Sequence, residues 1–168
     1  MEPAKLHSRL KLFGKNLEPN FEWFCYEDLK MNPAKIRNCK MQMIMYNADE
    51  KGLAGVAFVF ITGMASAPDD VIFSDHFATP RAENLKMQSA KLDTTKPVRR
   101  LGMGKAADGS IMGFKIMSSE TETMTEVTFV ENSETQWQTM EVPEGKTIVG
   151  VYGRKEEQSI VSLGFIVI

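Results

Sequence analysis

Ser74, Asp75 and His76 stand side by side in "SDHF", and these are the residue types of nucleophilic acyl transfer. Consecutive placement defeats that chemistry. Neighbours on an extended chain project to opposite faces, whereas a nucleophile, its base and the orienting carboxylate must converge. The stretch therefore reads as a turn. His7 is the only other histidine, and the chain has no G-x-S-x-G elbow and no H-E-x-x-H pair. "GMGKAADGS", Gly102 to Ser110, invites comparison with phosphate loops but lacks their spacing, and its apolar continuation has strand rather than helix rhythm. Cys25 and Cys39 form no C-x-x-C pair and are too few for a disulfide framework, so a reducing compartment is expected. Met41, Met43 and Met45 alternate with Gln42, Ile44 and Tyr46; this is strand spacing, and it favours packing over a soft-metal site, which recruits Cys or His. The expectation is a chain without catalytic residues, metal or cofactor, and not an enzyme.

Two clusters could instead recognise a partner. Arg154, Lys155, Glu156, Glu157 and Gln158 form a charged knot between two apolar runs near the carboxy end. Their carboxylates and amide can accept hydroxyl hydrogens, or can simply be the solvated tip of a hairpin. Phe21, Trp23, Phe24 and Tyr26 crowd four aromatics into "FEWFCY". Such a cluster packs onto its own domain or docks into another protein. Lys96, Arg99, Arg100 and Lys105 make a local basic stretch that reads as a solvated strand face.

These groups must be carried by a single domain, because 168 residues suffice for one well-buried core and not for two domains with a linker. Hydrophobic residues at 43% and charged residues at 25% describe a globular chain. Lys plus Arg is 20 against 22 for Asp plus Glu, so no global positive field exists to hold a nucleic acid. No stretch approaches the roughly 20 apolar residues of a membrane helix, and residues 1–20 contain no apolar signal core, so an intracellular, cytoplasmic setting is expected. Leu6, Leu10, Phe13 and Leu17 approach helical spacing among basic residues, but Pro3, Gly14 and Pro19 oppose a long helix. Residues 1–35 read as a solvated extension, with an organelle-targeting role left open.

An apolar rhythm repeats through the remainder. Ile160, Leu163, Phe165 and Val167 fall at offsets 0, 3, 5 and 7; Leu53, Val56, Phe58 and Phe60 repeat them, and Ile111, Phe114 and Ile116 repeat the first three. A step of three followed by steps of two is a strand with one bulge and one buried face. Partner runs precede each copy: Ile36-x-x-Cys39-x-Met41, Val98-x-x-Leu101-x-Met103 and Ile148-x-x-Val151. Polar turns join them, Asp108-Gly109 the clearest. Three hairpins thus begin near 36, 98 and 148, and the alternating segments between them supply further strands. Units that each bury one face need a common centre, which predicts an all-β domain of three antiparallel sheets about a pseudo-threefold axis. An ordinary two-sheet sandwich remains the alternative.

"TIVGVYGRKEEQSIVSLGFIV" resembles the closing hairpin of jacalin-like lectin domains, and "KLDTTKPVRRLGMGKAADGSIMGFKIMSSETETM" is similar to their middle hairpin. The resemblance runs from Ile36 to Ile168. It implies a β-prism domain over 36–168 and carbohydrate as a candidate ligand. The sugar-binding motif of such domains, a last-loop glycine followed four residues on by an aspartate, is not reproduced: Val161 occupies the aspartate position, charged or amide residues the glycine position, and Gly153 comes too early. The free amino-terminal glycine of some members has no counterpart. The resulting expectation is a divergent, jacalin-like, non-catalytic binding module. Its foremost role is as a protein-interaction or structural subunit with a protein partner; the alternative is a lectin that uses a divergent last loop.

Overall fold

A computed structural model describes residues 8–25, 36–64, 67–130 and 135–168 of the chain. The strands are β1 (Ser8–Arg9), β2 (Phe13–Gly14), β3 (Phe21–Phe24), β4 (Lys40–Asp49), β5 (Gly52–Met64), β6 (Ala67–Phe73), β7 (Phe77–Ala78), β8 (Gln88–Lys91), β9 (Arg100–Lys105), β10 (Ile111–Met117), β11 (Thr123–Thr128), β12 (Gln136–Glu141), β13 (Ile148–Lys155) and β14 (Ile160–Val167). A single 3-10 turn, Pro80–Asn84, lies between β7 and β8. None of the described helices is long and apolar enough to cross a membrane.

The strands form three antiparallel sheets, each centred on one hairpin. The first runs β6-β5-β4-β8 with β7 also on β5, the second β11-β10-β9-β12, and the third β1-β14-β13-β3 with β2 also on β14. Central hairpins β4–β5, β9–β10 and β13–β14 are the three the apolar rhythm predicts, so the architecture is a three-sheet prism and not a sandwich. The irregular step is a bulge at the same place in every copy. Asn47 pairs with Gly55 and Ala48 with Leu53, Gly104 with Gly113 and Lys105 with Ile111, Arg154 with Ser162 and Lys155 with Ile160. Ala54, Met112 and Val161 are the extra residues, and all are buried. Each hairpin thereby gains the local twist that curls its sheet around the common centre.

That centre is apolar and aromatic. Phe58, Phe114 and Phe165 are fully buried, one from each sheet. Phe58 meets Phe165 edge-on at 5.8 Å, and Phe114 meets Tyr46 at 5.7 Å and Phe129 at 5.5 Å. Burial of such a ring contributes about 1.5–3 kcal/mol, and no single hairpin would retain it alone. A further bulge between Met41 and Met43 resets the alternation in β4. Met41, Ile44 and Tyr46 consequently face the core, while Met43 and Met45 are half-buried on the other face.

Residues 8–24, which the sequence sets ahead of the prism, pair into its third sheet. β3 lies antiparallel to β13, with Trp23 opposite Val151, while β1 and β2 line the far side of β14. Leu10 and Phe13 are not on a helix; Phe13 is completely buried. The first and second sheets take their outer strands from segments adjacent to their own hairpins. In the third, the amino-terminal segment takes this role, and its edges would otherwise be left unpaired.

Candidate functional site

The hairpin turns gather at one end of the prism. A methyl group added to Gly52 would meet the Ile111 carbonyl at 3.0 Å and Ser110 Cβ at 3.2 Å, which puts the first and second tips in contact. Arg81 ties the first to the third. It projects from the 3-10 turn that Pro80 initiates, where a fixed φ and a missing N–H suit the first helical position. Its Nε donates to the Gln158 carbonyl at 2.8 Å, and Nη2 donates to the Gly52 carbonyl at 3.2 Å and to Ser159 Oγ at 3.3 Å. Nη1 pairs with Asp49. Thr79 Oγ1 adds a longer bond to the same Gln158 carbonyl, at 3.4 Å.

The charged knot is held from the other side too. Asn20 brackets Lys155: its Nδ2 donates to the Lys155 carbonyl and its Oδ1 accepts from the Lys155 N–H, both at 2.7 Å. Arg154 Nη1 donates to the Glu18 carbonyl at 2.9 Å, and its Nε lies 3.6 Å from Glu156. The turn closes through Glu156 N–H to the Ser159 carbonyl, 2.9 Å. Arg154, Lys155, Glu156, Glu157 and Gln158 do share one exposed tip, but the backbone acceptor at Gln158 is already engaged. Glu157 is exposed and makes no hydrogen bond or ion pair with the described residues. Val161, at the position of the missing aspartate, is a buried bulge residue that could not present a polar group to a ligand.

Two of the four clustered aromatics are buried within the chain's own prism. Trp23 and Phe24 are each 3% exposed, Trp23 stacking on Phe60 at 5.7 Å. Phe24 lies over Gly150, where an added Cβ would come within 2.4 Å of the Phe24 Cβ. Phe21 is half-buried and stacks on Phe77 at 4.4 Å. Their free energy already goes into joining β3 to the prism. Tyr26 lies outside the described residues.

"SDHF" has no catalytic geometry. Ser74 Oγ accepts from the Phe58 N–H at 2.8 Å and donates to the Asp75 carbonyl, whereas His76 Nε2 turns to Asn47 Oδ1 at 2.9 Å. Asn47 is buried and donates to the Leu85 carbonyl, so this bond serves to position a loop. Among the described residues no three His, Cys, Asp or Glu side chains gather as a metal site. Half of the basic stretch is paired: Lys96 meets Glu122 at 2.9 Å, and Arg100 meets Glu141 at 2.7 Å. Nothing in "TPRAEN" marks Arg81 by spacing, since its partners come from two distant turns.

Three bulged hairpins around one aromatic core constitute a jacalin-like β-prism. Comparison of the coordinates with solved structures bears this out. A mannose-binding jacalin-related lectin from Ananas comosus superposes with a TM-score of 0.58 at 12% identity, over 96% of this chain and 97% of that one. Artocarpin, crystallised with mannopentose, gives 0.62 at 9% identity, over 96% and 97%. A lamprey immune protein gives 0.59 at 14% identity, over 95% of this chain but 44% of that one. No family profile matches the sequence, and no curated protein sequence matches it either.

Proposed function

We propose that the protein is a non-catalytic binding module, a protein-interaction or structural subunit built on the jacalin-like prism, and that its contact surface is the outer face of β6. The observation that carries this is the exposure of Phe73 (63%) and Val71 (48%), two residues apart on one face, while Ile72 between them is buried. β6 ends the first sheet, so its outer edge has backbone groups to offer as well. An apolar pair beside an open edge suits an extended segment of another protein, which adds a strand and seats its own side chains on the pair. The expected partner chemistry is thus an extended, apolar-alternating segment.

The test compares the wild-type chain with Val71→Ser/Phe73→Ser as bait in an extract of its own cells. A protein retained by the wild type and lost from the variant, at unchanged melting temperature, supports the reading. Identical sets on both baits overturn it.

A second reading is carbohydrate binding through the divergent last loop. Favouring it are the unengaged carboxylate of Glu157 at the exposed tip and the likeness to lectins, among them the mannose-binding protein from Ananas comosus. Glycan-array signal abolished by Glu157→Ala would support it. A blank array for the wild type would remove it.

A further inference from the structure

The end of the prism opposite the tips contains a cavity of about 290 Å³. Its wall comes from the opening segment of every hairpin: Arg37 to Met41, Thr94 to Val98, and Lys146 to Ile148. It therefore sits on the pseudo-threefold axis, where the three units converge. Thr147 Oγ1 donates to the Arg37 carbonyl at 3.4 Å, joining the third unit to the first.

The cavity gathers four cationic side chains. Arg37, Lys40, Lys96 and Lys146 line it, with no aspartate or glutamate among the described lining residues, although Asp93 accepts from Thr95 of its wall. Lys96 is partly neutralised by Glu122. Arg37, Lys40 and Lys146 make no ion pair among the described residues. Arg37, Lys40 and Lys146, exposed around one concavity, repel one another, and an anion between them relieves that cost. The deeper wall is polar and apolar by turns: Thr94 is a buried hydroxyl, and Cys39, Met41 and Ile148 are buried beside it.

We propose that this cavity binds a small phosphorylated ring, of the sugar-phosphate or inositol-phosphate class. Lysine ammoniums act as point charges on phosphate, the Arg37 guanidinium can grip two phosphate oxygens, and the Thr94 hydroxyl can donate to another. A volume at the lower limit of small-molecule sites, about 300 Å³, selects a ligand of monosaccharide size over a polymer. This site is distinct from both the β6 face and the charged tip.

Calorimetry with inositol trisphosphate tests it on the full chain at low salt. The wild type should bind, with affinity falling steeply as salt rises, and Lys40→Gln/Lys146→Gln should weaken binding by at least about tenfold. Both positions are exposed, so the variant should melt as the wild type does. Lys105→Gln, far from this cavity, should bind normally. Vesicles of phosphatidylcholine with phosphatidylinositol bisphosphate then identify the source: capture assigns the ring to a lipid headgroup, and no capture to a soluble metabolite. No heat with the free ring, equal binding by the double variant, or capture by vesicles without binding of the free ring would each overturn the proposal.

Discussion

Cys25 Sγ and Cys39 Sγ face each other at 3.8 Å in the interior, one just past β3 and the other just ahead of β4. Both are buried, and no disulfide joins them. Neither spacing nor number announces the pair, since it depends on β3 joining the third sheet while β4 opens the first. A disulfide bond is about 2 Å long, so modest side-chain motion suffices to close it. Diamide, a two-electron azo oxidant, should take two hydrogens from the pair and abolish its reaction with a thiol reagent in the unfolded protein. Cys25→Ser should leave one thiol that survives the same treatment. Persistence of both wild-type thiols, or capture as dimers between chains, would count against an intramolecular pair.

Arg81 should carry more stability than its place in a short surface turn suggests. Its side chain is about one-tenth exposed, and the guanidinium donates to acceptors on two hairpin turns. Removing it takes a donor from the Gly52 and Gln158 carbonyls and the ion-pair partner from Asp49, at about 1–3 kcal/mol for groups left unsatisfied. Arg81→Met should accordingly lower the urea midpoint, with Arg81→Lys intermediate because one ammonium cannot span the same partners. An unchanged midpoint in Arg81→Met would mean that solvent replaces these bonds without loss.

Phe165 occupies the centre from the third sheet, against Phe58. Phe165→Ala should cost about 3–5 kcal/mol in equilibrium denaturation, as for other core phenylalanines. Met87→Ala, at a position 40% exposed, should fall within about 0.5 kcal/mol of the wild type. Similar losses in the two variants would contradict a shared aromatic core.

Alkaline pH offers a test of the amino-terminal clasp. The Tyr152 hydroxyl donates to the Leu10 carbonyl, and burial raises its pKa above the ordinary 10.0, against a smaller opposing pull from Arg9, whose guanidinium lies 4.6 Å from the ring centre. A phenol with a raised folded-state pKa stabilises fully below its unfolded value, and this contribution is lost as pH rises through the folded one. Tyr152→Phe should be less stable at neutral pH by about 1 kcal/mol. Its deficit against the wild type should shrink above about pH 10. Parallel stability curves for the two proteins across that range would remove the proposed linkage.

The sequence alone determined the three hairpins, their bulges and the shared core, because these are written locally. Burial of alternate residues with one extra residue leaves a 0, 3, 5, 7 signature that survives without any knowledge of neighbours. Asp108-Gly109 likewise marks its own turn: Gly109 takes a φ of 89°, and Asp108 accepts from the Ser110 N–H. Tertiary structure decided the rest. Residues 8–24 became part of the third sheet, Trp23 and Phe24 became core, and the charged tip was fastened by Arg81 and Asn20. Tyr152 reaches Leu10 across 142 positions and Arg81 reaches Gln158 across 77. Partners so distant impose no period on either segment. The basic cavity follows the same rule, since Arg37, Lys96 and Lys146 look like ordinary surface charges until the pseudo-threefold axis brings their three strand entrances together.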